Sequence, residues 1–220
     1  MRKKDVLIIL FLMLVKAGVF AMPMTDNNRT SSGHFKVWLG QHNVDNQQIK
    51  SFSLDHLATM GIYIDQRISD TMPLYLSASI SKGFSVSGGA TTITGSDAQG
   101  NSISANITKE KRYHSDQLTI GAVFYGDLNQ RTEWFLGSGI LYSQHSFEFN
   151  LLSNDTSDIV FAFPEDYIES ALGGYISFGV HALLTSNLYA GFQADVLFAR
   201  SEHGHNMGGS MIGLNMGTYL

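Results

Sequence analysis

Leu74-Tyr75-Leu76-Ser77-Ala78-Ser79-Ile80 sets an apolar side chain against a small or polar one at every step. On a strand, side chains switch faces at each residue, so Leu74, Leu76, Ala78 and Ile80 share one face and Tyr75, Ser77 and Ser79 the other. The pattern recurs on both sides of this stretch. Upstream, Ala58, Met60, Ile62 and Ile64 interleave with Thr59, Gly61, Tyr63 and Asp65; downstream, Leu118, Ile120, Ala122 and Phe124 interleave with Gln117, Thr119, Gly121 and Tyr125. Ile168, Leu172, Ile176, Phe178 and Val180 continue it, followed by Leu188, Ala190, Phe192, Ala194, Val196 and Phe198. Phe35, Val37 and Leu39 carry it with the opposite parity, which an intervening loop permits. The alternation predicts eight strands, at roughly 34–42, 54–68, 74–87, 114–126, 132–148, 165–183, 187–201 and 209–220, and no helical period of comparable length competes.

The connections alternate as well. Short links at 69–73, 127–131 and 184–186 are interspersed with long ones at 43–53, 88–113, 149–164 and 202–208. A lipocalin-like barrel or a β-sandwich would also alternate and turn. The difference lies in which face goes where: the Gly-, Ser- and Tyr-rich face suits a narrow interior, and the apolar face then points outward, an arrangement stable only in lipid. The expected fold is all-β, an eight-stranded antiparallel transmembrane β-barrel of up-and-down order over residues 34–220.

Residues 1–21 read as a secretory leader. Arg2, Lys3 and Lys4 precede an apolar run at 6–15, and Val19-Phe20-Ala21 offers a cleavage site. That run is too short for a membrane-spanning helix, which takes about 20 residues. The leader is therefore expected to be cleaved after about Ala21, with 22–33 a polar tail. Of 14 Lys and Arg and 19 Asp and Glu the leader takes four and one, leaving 10 against 18 and a net charge of −8. Such a balance disfavours nucleic acid, whose phosphates need basic side chains. With no cysteine there is neither a lipid-attachment thiol nor a disulfide.

These strands, with the alternating end Ile212, Leu214, Met216, Thr218, Leu220 and the segment Trp134-Phe135-Leu136-Gly137-Ser138-Gly139, resemble the small outer-membrane β-barrel proteins of Gram-negative bacteria, the OmpA-like and opacity-protein type, over about 34–220. The chain departs from that pattern by ending on Leu220, where an aromatic is usual, with Tyr219 beside it. The resemblance implies an outer-membrane location, short turns and both mature termini in the periplasm, and long loops outside. It also implies insertion by the barrel-assembly machinery and contact with outer-membrane lipid and lipopolysaccharide. No peptidoglycan-binding domain follows the barrel in this sequence, so the barrel and its loops are expected to carry the function.

Eight strands leave an interior just wide enough for side chains to fill. The inward positions hold Tyr63, Tyr75, Tyr125, Tyr175, Tyr189 and Tyr219 with Asp55, Asp65, Glu169, Asp195, His181, Lys36 and Trp38. A plug of rings and carboxylates toward the short-turn end is predicted, as a hydrogen-bonded core in preference to an ion path, and no general pore. No cofactor is implied.

Similar barrels include enzymes that add or remove acyl chains on lipid A, and acyl hydrolysis needs a nucleophile, a base and an orienting acid in mutual reach. Folding the fifth strand onto the sixth brings Ser143, His145 and Glu169 to one inward face near the outer rim; coincidence explains this as well, because the His-x-Ser order of the deacylases is absent. His203-x-His205 beside Glu202 has imidazole spacing for a metal, but reads as a solvated loop. Asn28, Asn106 and Asn154 begin Asn-x-Thr triplets that a bacterial context makes coincidental.

Lys109, Lys111 and Arg112 end the longest loop, either as a solvated loop base or as a contact for lipopolysaccharide phosphates. Ile159, Val160, Phe161 and Phe163, with Leu151 and Leu152, place apolar residues on another loop and suggest a contact surface. The leading expectation is a non-enzymatic surface barrel whose loops serve adhesion, colonisation or resistance to host defences, with a host-surface receptor as partner. A lipid-A acyl hydrolase and a purely structural envelope barrel are the rivals.

Overall fold

The computed structural model describes residues 32–96, 100, 102–129, 131–154 and 167–220. The strands are β1 (Gly33–Val44), β2 (His56–Arg67), β3 (Leu74–Ser96), β4 (Ser102–Asn129), β5 (Thr132–Asn154), β6 (Tyr167–Leu183), β7 (Leu188–Ser201) and β8 (Gly209–Tyr219). Each pairs antiparallel with the next, and β8 returns to β1 with Trp38 opposite Asn215, closing the barrel. One short helix, α1 (Gln47–Ser51), lies in the β1–β2 connection. The leader and residues 22–31 lie outside the described residues; the end of the expected tail is part of the barrel, with Gly33 opening β1 opposite Gln66 and Ser32 N–H donating to the Leu220 carbonyl at 3.1 Å.

The faces fall as the alternation dictates. Leu39, Met60, Ile140, Leu172 and Leu214 are each more than half exposed, while Tyr63, Tyr75, Tyr125, Tyr175 and Tyr189 are buried in the lumen. An apolar girdle of this kind is stable only in a bilayer. On β5 the girdle covers residues 134–142, which at a tilt of about 40° spans roughly 22 Å, close to the ~25 Å apolar band of such barrels. Phe124 and Trp134 pair at its lower edge with ring centroids 5.7 Å apart. Lys82, Asp116, Gln144 and Ser170, in register across β3 to β6, form a polar upper edge, with Lys82 Nζ 3.4 Å from Asp116 Oδ1.

Three connections differ from expectation. Residues 88–113 are not an open loop: β3 and β4 stay paired from Gly88↔Glu110 to Ser96↔Ser102, and β5 follows β4 up to Asn154↔Ile107. Above the girdle both faces of a sheet meet water, so no apolar alternation marks the strands, although the Thr-rich sequence favours them. Residues 149–154 likewise continue β5. The outcome is a three-stranded blade rising from one side of the barrel. The 43–53 connection is also structured, since Asn46 caps α1 by accepting from the backbone N–H of Gln48 and Ile49 at 2.9 and 3.2 Å.

Inside, room for rings is made by glycine. A Cβ at Gly179 would collide with the Phe135 ring, and one at Gly191 with the His181 ring. These two positions let large side chains from neighbouring strands occupy a lumen that eight strands make narrow.

Candidate functional site

At the turn end, the lumen is closed by a charged plug. Lys36 of β1 and Asp65 of β2 are almost wholly buried, with Nζ 2.9 Å from Oδ2. Lys36 Nζ also donates to the Tyr125 hydroxyl at 2.9 Å, and that hydroxyl donates to Asp65. Ser77 Oγ donates to the other Asp65 oxygen at 2.5 Å. The ammonium lies 4.6 Å from the Phe135 ring centroid, and His34 stacks on Tyr125 at 4.1 Å. Tyr219 donates to Glu133 at 2.7 Å. Both charges are hydrogen-bonded as well as paired, the condition under which burial of an ion pair is tolerated.

Midway, Gln193 donates to both oxygens of Asp195 at 3.0 Å, Tyr63 donates to the same carboxylate at 3.4 Å, and Ser79 and Thr119 share a bond of 2.6 Å. At the loop end the stopper is apolar. Ile49 of α1 and Leu54 after it fold inward and pack in one cluster with Trp38, Leu57, Met207 and Met211. Asn46 ties this lid to the β7–β8 connection through a contact of 3.4 Å from Nδ2 to Met207 Sδ. Side chains from facing strands thus meet across the lumen at both ends and in the middle.

The sequence-derived candidates fare differently. Ser143 and His145 do meet, at 2.8 Å from Oγ to Nε2. Glu169 stands opposite His145 in the β5–β6 register, but its carboxylate reaches His205 Nδ1 at 2.9 Å instead. The second nitrogen of His145 is bonded to the Tyr113 hydroxyl at 2.6 Å. Ser143 is 1% and His145 0% exposed, so no substrate reaches the pair in this conformation. Tyr113 was legible as an inward residue by counting back in twos from Gln117; treating 88–113 as a loop hid it.

Lys109, Lys111 and Arg112 are not one patch. Strand alternation puts Lys109 and Lys111 on one face of β4 and Arg112 on the other. Arg112 is paired with Glu110, and the Lys111 ammonium lies 4.5 Å from the Phe52 ring centroid. Partial burial and the neighbouring Lys109 lower the Lys111 pKa, whereas the hydrogen bond from Lys50 to Asp45 raises that of Lys50. Ile159, Val160, Phe161 and Phe163 lie outside the described residues.

The inward histidines His34 and His42 went unread in the sequence, although both have the parity of Lys36 and Trp38. The largest feature missed was the blade. Above Ala58↔Phe84 the β2–β3 ladder stops, and residues 85–96 of β3 face outward along an edge that no strand among the described residues pairs with.

No protein-family model matches this sequence, and no curated protein matches it. Among solved structures the chain is similar to the N-terminal β-barrel domain of Pseudomonas aeruginosa OprF, with a TM-score of 0.51 and 12% identity over 86% of this chain and 98% of that one. It is similar also to Neisserial surface protein A, with a TM-score of 0.54 and 10% identity over 86% of this chain and 98% of that one. The likeness is one of fold, that of the small outer-membrane β-barrels.

Proposed function

We propose that this protein is a bacterial outer-membrane surface protein that works by contact, through the blade of β3, β4 and β5, and neither conducts nor catalyses through its lumen. The observation that carries this reading is a contrast: buried side chains meet across the lumen at both ends, while three strands continue well past the polar edge of the girdle. A free strand edge offers a row of backbone donors and acceptors to an extended partner segment. Natural proteins blunt such edges with charge or proline, and residues 83–96 contain neither. Neisserial surface protein A, whose fold this chain shares, is by its name a surface protein.

In this proposal the leader is removed after about Ala21 and the assembly machinery inserts the barrel. The short turns and the termini face the periplasm, and the polar upper edge meets lipopolysaccharide. The blade then projects outward to a host-surface receptor, serving adhesion, colonisation or resistance to host defences. The test compares attachment to epithelial cells by bacteria displaying the intact protein and a version with residues 89–112 replaced by a short turn, at equal levels of heat-modifiable barrel. Loss of attachment is expected; unchanged attachment overturns the proposal.

The contact between Ser143 and His145 keeps the acyl-hydrolase reading in view. It predicts an altered lipid A mass in cells carrying the protein, and identical masses with and without it remove that reading.

A further inference from the structure

We infer that Glu169 of β6 with His203 and His205 of the β7–β8 loop forms a divalent transition-metal site of the zinc class at the mouth of the barrel. The Glu169 carboxylate is only 5% exposed, and two imidazole nitrogens converge on one of its oxygens: His205 Nδ1 at 2.9 Å and His203 Nδ1 at 3.6 Å. A hydrogen bond accounts for the first distance and not the second, which is past hydrogen-bond reach. Tetrahedral ligands at about 2.0–2.1 Å from zinc stand about 3.3 Å apart, and the two distances fall on either side of that value.

The loop backbone is fixed before any ion arrives. Ser201 N–H donates to the His205 carbonyl at 3.0 Å, Gly204 N–H donates to the Ser201 carbonyl at 2.9 Å, and His205 N–H donates to Ser201 Oγ at 3.1 Å. Gly204 makes the bend with φ at +82°, a conformation that suits glycine. Both histidine backbones are therefore already placed beside Glu169.

No three His, Asp or Glu side chains among the described residues yet surround one point. His203, whose side chain is 76% exposed, has the freedom to turn inward and complete the set, with water in the remaining position. His145, opposite Glu169 in the register, has both nitrogens engaged by Ser143 and Tyr113 and is not a ligand. Two imidazoles and a carboxylate select zinc, nickel or copper over magnesium and calcium. The bound ion would clamp the β7–β8 loop to β6 beside the apolar lid.

The experiment titrates the untagged full barrel in detergent micelles with Zn²⁺ by calorimetry, and with Co²⁺ by its visible absorption. One tight equivalent is expected, weakened at least tenfold in His205→Ala, His203→Ala and Glu169→Gln and unchanged in His56→Ala. His203 and His205 are exposed enough for their variants to keep the barrel, which heat-modifiable gel mobility checks should Glu169→Gln fail to fold. Zinc binding no weaker in the double variant His203→Ala/His205→Ala than in the intact protein overturns the site. Absence of tight binding in the intact protein also overturns it and leaves Glu169 and His205 as a simple ion pair.

Discussion

The two ends of the lumen are stopped by opposite chemistries. At the turn end, Lys36, Asp65, Tyr125 and Ser77 bury two full charges in a hydrogen-bonded knot contributed by β1, β2, β3 and β4. At the loop end, Ile49 and Leu54 from a short connection drop onto Trp38, Met207 and Met211 with no ion pair in the cluster. The difference is one of reach and reversibility. The plug is made of wall residues, whereas Ile49 and Leu54 of the lid hang on a connection, the kind of element in which local unfolding starts. Both stoppers are built from side chains that meet across the lumen.

The comparison breaks most sharply at the plug. Asp65→Ala leaves the Lys36 ammonium buried without its partner and should cost about 3–5 kcal/mol, read from the urea midpoint of the barrel in detergent. The pair Lys36→Met with Asp65→Leu should recover much of that loss, because no charge is then stranded. A double variant as unstable as the single would show that the plug matters for shape and not for charge.

Leu54→Ala at the lid should cost about 2–4 kcal/mol, with a different signature. Protease cleavage within 45–55 should accelerate while amide exchange around Lys36 and Asp65 stays slow. Equal loosening at both ends would erase the distinction between wall and lid. Asn46→Ala removes the cap of α1 and should cost about 1 kcal/mol, seen as faster exchange at Gln48 and Ile49. Lys82→Ala at the polar edge should change stability by no more than about 0.5 kcal/mol, since exposed ion pairs contribute little.

Legibility in the sequence followed the solvent. Where one face meets lipid and the other the lumen, alternation is strong, and Leu74 to Ile80 or Leu118 to Phe124 announce their strands and faces outright. Above the girdle both faces are wet, so β3 beyond Ser87 and β4 before His114 lose the period and read as a loop, though the ladder continues. The plug was legible in kind, because Tyr125, Asp65 and Lys36 share inward parity. Its pairing was not, since which side chains meet across a barrel depends on register around the ring. The same limit applies to Glu169: the sequence brought it to the level of His145, and only the loop conformation turned it toward His205. The lid was least legible: Ile49 sits in a polar connection with no period to mark it as inward, and Leu54, which the alternation set at the start of the second strand with outward parity, precedes β2 and is buried.

Planar-bilayer recording of the full barrel tests the double closure most directly. Membranes holding the protein should carry no more current than bare lipid, with no steady conductance of porin size. A stable open channel in every insertion would contradict it, and would move the function from the blade to the lumen.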